Sequence, residues 1–223
     1  MTVKTIFITG AGTGLGKALA HAYSRLGHTI ILTGRREEPL KQVEKEIQAN
    51  GGQAFSYSLD ITDYKDLVNK VEHILGEHEV HVLINNAGIG CFGPLNELQM
   101  EQINECIMTN VNGTIFMTKA FLPYLSKLAD TKVLNIISTA GLKGKVNESV
   151  YVATKYAIRG FTESLQKEWD GTITFKAVYM GGMDTPFWEN TDHIADKTRL
   201  KSPDMIAEKI VTLDEEGQIE IVL

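Results

Sequence analysis

Several common architectural resources are scarce in this 223-residue chain. Its two cysteines, Cys91 and Cys106, are too few for a disulfide framework or a Cys-only zinc site. No apolar run approaches the roughly 20 residues of a membrane helix. The N-terminal stretch Ile6-Phe7-Ile8 is also too short for a secretory signal. A soluble cytoplasmic protein with no membrane partner is the expectation. A basic excess is absent too. Lys and Arg number 22 against 28 Asp and Glu, a net charge of -6. That balance argues against a nucleic-acid partner, yet leaves room for a local basic pocket for phosphate. Repeats, low-complexity tracts and linkers are missing. With 43% hydrophobic residues, disorder is excluded as the main state. One domain over residues 1–223 is expected, long enough to bury roughly 70% of its unfolded surface in one core.

What is present is alternation. Strand-length runs rich in Val and Ile, apolar on both faces, lie at Thr5–Thr9, Thr29–Thr33, Val80–Asn85, Val133–Ser138 and Thr172–Tyr179. Shorter ones fit Ala54–Ser58 and Gln218–Leu223. Runs apolar on both faces are how parallel strands read when helices cover both sides. Between them, apolar residues recur at three and four, as at Leu15, Leu19, Ala22, Tyr23 and Leu26. Leu67, Val71, Ile74 and Leu75 repeat the pattern after a cap expected at Thr62. Long helical segments are expected at about Met100 to Leu128 and Val150 to Trp169. Ser202-Pro203-Asp204 opens a last helix with a cap, a proline at the first position and an acid in the first turn. Strand–helix alternation throughout predicts a doubly wound α/β fold, with a mostly parallel seven-stranded sheet flanked by helices on both faces. Ligands of such sheets bind beyond the carboxyl ends of the strands. The patternless stretch at about 181–201 follows one of those ends, where a short substrate lid is expected.

The first strand runs into Thr9-Gly10-Ala11-Gly12-Thr13-Gly14-Leu15-Gly16. Glycines here let the backbone approach an anion at a helix N-terminus, where free N–H groups and the dipole attract phosphate. Neither the P-loop spacing nor G-x-G-x-x-G fits; G-x-x-x-G-x-G does, as Gly10, Gly14 and Gly16. A tight turn without a ligand is the alternative. Downstream, Tyr151 and Lys155 stand four apart, on one face of a helix. A lysine near a phenol is expected to lower its pKa, so that it can trade a proton with a carbonyl or alcohol near neutrality. An ordinary surface pair is the alternative. Position favours chemistry, because Ser138 ends one strand and Tyr151 opens the next helix, both near the ligand-bearing edge. Ser138 lacks the G-x-S-x-G context of a hydrolase, with Ile136 at the first glycine position. His78 and His81, at a helix–strand junction, read as solvated, and no metal site is expected.

Taken together, the Thr9–Gly16 turn, Asp60, Asn85-Asn86-Ala87-Gly88, Asn110, Ser138, Tyr151 with Lys155, and Thr185 resemble the short-chain dehydrogenase/reductase family. They stand in family order along nearly the whole chain. The resemblance implies a Rossmann-like domain that binds NAD(H) or NADP(H). It also implies hydride transfer between the nicotinamide and a carbonyl or secondary alcohol. By it, Tyr151 is the general acid or base, Lys155 tunes Tyr151 and holds the nicotinamide ribose, and Ser138 polarises the substrate oxygen. Asn110 anchors a water leading protons to Lys155. Gly10, Thr13, Gly14, Leu15 and Gly16 face the pyrophosphate. Asp60 and Ile61 meet the adenine, and Asn86, Ala87 and Gly88 form the central-strand contact. Thr185, with the Met183 backbone nearby, meets the carboxamide. It implies a homodimer or homotetramer, through the helical stretches at Met100–Leu128 and Val150–Trp169.

Cofactor preference has a physical argument of its own. NAD-preferring relatives carry an acid at the end of the second strand, where this chain has Gly34 followed by Arg35 and Arg36. A missing carboxylate removes repulsion to a 2′-phosphate, and a guanidinium can bind one bidentately. NADP(H) is therefore expected, with NAD(H) the second choice. In the alternative both arginines are solvated and pair with Glu37 or Glu38. Two departures from the family stand out. Gly181-Gly182 replaces its usual Pro-Gly, and the chain ends at Leu223 without a longer C-terminal segment. Pocket walls are expected at Ile89–Pro94, Ala140–Asn147 and Gly181–Trp188, around a neutral or apolar small-molecule carbonyl or alcohol substrate. A dinucleotide-binding sensor or scaffold without turnover is the competing reading. An epimerase or dehydratase would need a substrate domain for which there is no room.

Overall fold

The computed structural model describes residues 3–189, 191, 193 and 196–223. The remaining positions of the expected 181–201 lid lie outside the described residues. Seven strands form one parallel sheet in the order β3-β2-β1-β4-β5-β6-β7. They are β1 (Thr5–Thr9), β2 (Thr29–Gly34), β3 (Gln53–Ser58), β4 (Val82–Asn85), β5 (Lys132–Ile136), β6 (Thr174–Tyr179) and β7 (Glu220–Val222). The helices between them are α1 (Gly14–Arg25), α2 (Glu37–Ala49), α3 (Tyr64–Glu77), α4 (Met100–Ile107), α5 (Thr114–Leu125), α6 (Ser149–Glu168) and α7 (Pro203–Glu215). Among the described residues no helix is long and apolar enough to cross a membrane.

Alternation along the strands builds two cores at once. Ile6 and Ile8 face α1, α2 and α7, together with Ile30, Leu32, Val82 and Ile84. Phe7, Ile31, Leu83 and Val133 point the other way, onto α3, α5 and α6. Successive side chains of a strand alternate faces, so a strand buried on both sides must be apolar throughout. Two expected details differ. Asp63, not Thr62, caps α3, accepting from Asp66 N at 3.1 Å. The Thr62 hydroxyl is already spent as a donor to Asp60 Oδ1 at 2.7 Å. The expected long helix from Met100 to Leu128 is divided by a π-helical turn at Met108–Gly113. Such turns recur at functional sites, because the extra residue turns a side chain inward.

Sheet order reverses between β1 and β4, which opens a crevice at their carboxyl ends. The turns after β1, β4, β5 and β6 all feed that edge. Beyond β6 the chain makes an excursion pinned at its base by a bridge between Met183 and Lys201. Asp184 N donates to Lys201 O at 3.0 Å.

Candidate active site

A cleft of about 1040 Å³ runs along this edge from Arg35 and Arg36 to Tyr151 and Trp188. At its first end the glycine turn is held in shape by position-specific needs. Gly10 and Gly14 have φ of +65° and +53°, left-handed backbone that favours glycine. A Cβ on Gly16 would stand 2.2 Å from the Gly10 carbonyl oxygen, so Gly16 serves close packing rather than the cleft wall. Thr13 precedes α1 without a side-chain cap bond, and the first turn holds no acid. Its N–H groups are left to an anionic guest. The turn is braced from β4. Asn86 Nδ2 donates to Thr9 O at 2.9 Å and Gly10 O at 3.2 Å, and the Thr9 hydroxyl accepts from Asn86 N and Ala87 N, both at 3.0 Å. Asp60 and Ile61 close the wall beyond β3. Arg35 and Arg36 are exposed at the rim; Arg35 faces Glu105 at 3.9 Å, while Glu37 is taken by Lys41.

At the other end the sequence places Ser138, Tyr151 and Lys155 together. Ser138 follows β5 with φ +110° and ψ 154°. That region is essentially glycine's, at a cost of about 1–3 kcal/mol for other residues. The strain is imposed by neighbours on both sides: Thr139 N donates to Met180 O at 3.0 Å, and Ser138 Oγ accepts from Ala140 N at 3.2 Å. Tyr151, in the first turn of α6, is only 6% exposed, and its hydroxyl faces Ser138. Lys155 follows one turn later. Its Nζ lies 5.6 Å from the Tyr151 ring centroid and donates to Ile136 O at 3.1 Å.

The expected lowering of the Tyr151 pKa does not occur in the protein alone. Burial pushes the phenol above its ordinary 10.0; the Ser138 hydroxyl opposes this, and Glu148 adds to it. Burial also pulls Lys155 down to about 8, since no carboxylate stands beside it. The phenol thus rests protonated.

Asn110 sits on the π turn, 2% exposed. Its amide clamps the Ile89 peptide from both sides, accepting from Ile89 N at 2.8 Å and donating to Ile89 O at 2.9 Å. It donates also to Thr154 Oγ1 on α6, at 3.2 Å. Its side chain therefore fixes the β4 loop against the helix that carries Tyr151 and Lys155.

A short chain dehydrogenase family profile matches residues 4–195. The chain belongs to the short-chain dehydrogenase/reductase family. A diacetyl reductase [(S)-acetoin forming] of Staphylococcus epidermidis is 33% identical over 192 residues, covering 85% of this chain and 75% of that protein. An alcohol dehydrogenase from the archaeon Thermococcus sibiricus, solved with 5-hydroxy-NADP, superposes at a TM-score of 0.91 with 28% identity. That match covers 100% of this chain and 96% of the other. A 3-ketoacyl-(acyl-carrier-protein) reductase of Brucella melitensis, solved with NADH, gives 0.88 and 26%, over 99% and 96%. As a short-chain dehydrogenase/reductase the chain is an oxidoreductase of alcohol and carbonyl groups.

Against that family pattern, the dehydrogenase places every site residue singled out in the sequence along one cleft, except Gly16 and Asn110. Those two stand behind it. Met183 and Thr185 line it as well, and Thr185 packs so near Gly14 that a Cβ there would be 3.2 Å away. Two residues were not found from the sequence: Glu148, one position past the expected Ala140–Asn147 wall, and His193, in the patternless stretch. Glu148 had a signal, being three residues before Tyr151 and so on its side of α6. His193 had none.

Proposed function

We propose that this protein is an NADP(H)-dependent reductase of carbonyl compounds, running reversibly to secondary alcohols, with Tyr151 as general acid in reduction and general base in oxidation. One observation carries the reading. Two hydroxyls, on Ser138 and Tyr151, meet at one end of a cleft whose other end is a glycine turn with an uncapped helix N-terminus. The glycine turn fits a dinucleotide, since side chains at Gly10 and Gly14 would fill the space against Asn86, Ala87 and Thr185. When bound, that cofactor supplies or takes up the hydride.

The chain's own residues do the rest. Gly10, Thr13, Gly14 and Leu15 would hold the pyrophosphate, Asp60 and Ile61 the adenine, and Asn86, Ala87 and Gly88 the floor. Met183 and Thr185 would hold the carboxamide. Arg35 and Arg36, exposed and with no acid at Gly34, would take a 2′-phosphate. The 5-hydroxy-NADP on the archaeal alcohol dehydrogenase supports that choice. Ser138 would donate to the substrate oxygen while Tyr151 passes it the phenolic proton. Burial keeps the phenol protonated in the protein alone, the form that would donate in reduction. Lys155, still mostly charged at neutral pH with a pKa of about 8, would stabilise the phenolate left behind and hold the ribose. Asn110, by fixing the β4 loop to α6, would keep Lys155 within reach of water.

Phe92 and Phe187 pack on Tyr151, Trp188 packs on both, and all three line the cleft, which suits neutral, apolar carbonyl compounds. The 181–201 excursion would act as the lid of a one-domain protein. Exposed Met100, Ile107, Met108 and Tyr156 on α4, α6 and the π turn would pair subunits as a homodimer or homotetramer. Two free thiols fit the reducing cytoplasm.

The test is NADPH and NADH oxidation against ketones, aldehydes and diketones, including diacetyl. Turnover preferring NADPH is expected, with Arg35→Ala weakening NADPH far more than NADH. An equal effect on both would remove the phosphate assignment. Silence across the panel, with NADPH still bound tightly, would favour a dinucleotide sensor instead.

A further inference from the structure

Glu148 precedes α6 and lies three residues before Tyr151. Its side chain is 7% exposed, and it caps no backbone N–H of α6. A carboxylate buried in a cleft wall needs partners, or its desolvation goes uncompensated. Its partners lie to the side. His193 Nε2 stands 2.9 Å from Oε1, and Lys145 Nζ is 3.7 Å from Oε2. The Glu148 main chain is fixed from behind, because its carbonyl accepts from Val152 N at 2.7 Å in the first turn of the helix.

His193 in turn carries a layer of aromatic rings. It lies flat on Phe92, with centroids 4.6 Å apart and planes 6° apart. Trp188 stacks on the same Phe92 at 5.0 Å and 19°. Phe92 then meets the Tyr151 ring at 5.4 Å, and Phe187 meets it at 5.8 Å. Trp188 is secured at its far end by Nε1 donating to Met183 O at 3.0 Å. A chain of contacts thus leads from the Glu148 carboxylate through an imidazole and the Phe92 ring to the phenol, with Trp188 stacked on the same Phe92.

We propose that Glu148 is a positioning and specificity-determining residue: by anchoring His193 it holds the Phe92–Trp188 stack beside Tyr151 and selects carbonyl substrates with a flat, conjugated or aromatic face. Parallel rings present π faces, on which a planar ligand gains stacking contact that a branched aliphatic one forfeits. Substrate selection rests on the reductase reading above; the anchoring of the stack does not.

The experiment separates the two. In a Trp169→Phe background, Trp188 is the sole tryptophan and its acrylamide quenching reports the stack. Glu148→Ala and His193→Ala should each raise quenching about twofold, and the double variant should go no further than either. Glu148→Gln, which keeps an acceptor for His193, should restore the parent value. With NADPH and 1-phenyl-1,2-propanedione, both alanine variants should raise KM about fivefold or more with kcat within about twofold. KM for the branched 3,3-dimethyl-2-butanone should hold or fall, and NADPH affinity should not change. Unchanged quenching in both alanine variants overturns the proposal, whatever the activity. Raised quenching with unaltered preference between the two ketones overturns the specificity claim. A parent that reduces neither these nor any other carbonyl compound fails the reductase reading itself, and the quenching still decides whether Glu148 holds the stack.

Discussion

Tyr23 and Tyr151 are both buried phenols associated with lysine, and a carboxylate bonded to both phenol and lysine is what separates their surroundings. Tyr23 on α1 donates to Asp214 Oδ2 at 2.7 Å. Lys132, at the start of β5, and Lys176, within β6, close on the same carboxylate, with Lys176 Nζ 2.7 Å from Oδ1. Burial alone would raise the Asp214 pKa; the two ammonium groups outweigh it and hold the carboxyl below its ordinary 3.8. Each charge there has an opposite beside it, and the cluster ties α1 and α7 to the sheet. Tyr151 and Lys155 have no such partner. Their polar atoms meet a strained serine and a backbone carbonyl, and burial shifts both pKa values toward the neutral forms. Satisfied charge fixes a structure; charge left unsatisfied at a cleft is available for a reaction. On the proposed reading, the first cluster serves stability and the second catalysis.

Substitutions can break that division, and the largest effect belongs to the second cluster. Tyr151→Phe should lower kcat by about 10²–10⁴. Its melting temperature should stay near the parent's, and its dinucleotide Kd should stay within a few-fold. In the first cluster, Asp214→Asn leaves two buried ammonium groups facing an amide and should cost about 3–5 kcal/mol in chemical unfolding. The sign with pH follows from the depressed carboxyl. Its contribution is present above pH 4 and fades as pH falls through the folded pKa, so the gap between parent and variant should close in acid.

A pair of matched changes sharpens the contrast. Lys155→Met removes a buried cation without an ion-pair partner and should stabilise the fold by about 1–2 kcal/mol while ending turnover, whereas Lys176→Met should destabilise it. Since burial lowers the Lys155 pKa to about 8, its charged form burdens the folded state below that pH. The advantage of Lys155→Met should therefore shrink as pH rises from 7 toward 10. The smallest effect is Ser138→Gly. Relief of the positive φ, offset by the freer unfolded chain, should leave thermal stability equal or higher by about 1 kcal/mol. Ser138→Ala should lose as much activity without that gain.

Much of this was legible in the sequence, for reasons that can be named. Strands such as Thr5–Thr9 were read correctly because burial on both faces demands unbroken apolar runs. The glycine turn was legible because positive φ at Gly10 and Gly14 and close packing at Gly16 leave few alternatives. The π turn was not, since Met108–Gly113 carries no proline and a lone Gly113 does not distinguish a bulge from a regular turn, and its bulge answers to Asn110 bridging the Ile89 peptide and α6. Thr62 was misread as a cap because its hydroxyl serves Asp60, a choice made by the loop. The pKa of Tyr151 was misread because spacing shows the lysine but not the burial. Asp214, Lys132 and Lys176 gave no sequence signal, being more than 30 residues apart from one another and joined only by the sheet. Glu148 and His193 meet across 45 residues, through a segment with no periodicity.

The most direct test is a crossed comparison of Tyr151→Phe and Tyr23→Phe, each assayed for NADPH-dependent turnover of the fastest ketone and for melting temperature on the same sample. A crossing is expected: Tyr151→Phe loses turnover and keeps its melting temperature, and Tyr23→Phe loses melting temperature and keeps turnover below it. A Tyr151→Phe variant that still turns over at the parental rate would contradict the account, whatever Tyr23→Phe does.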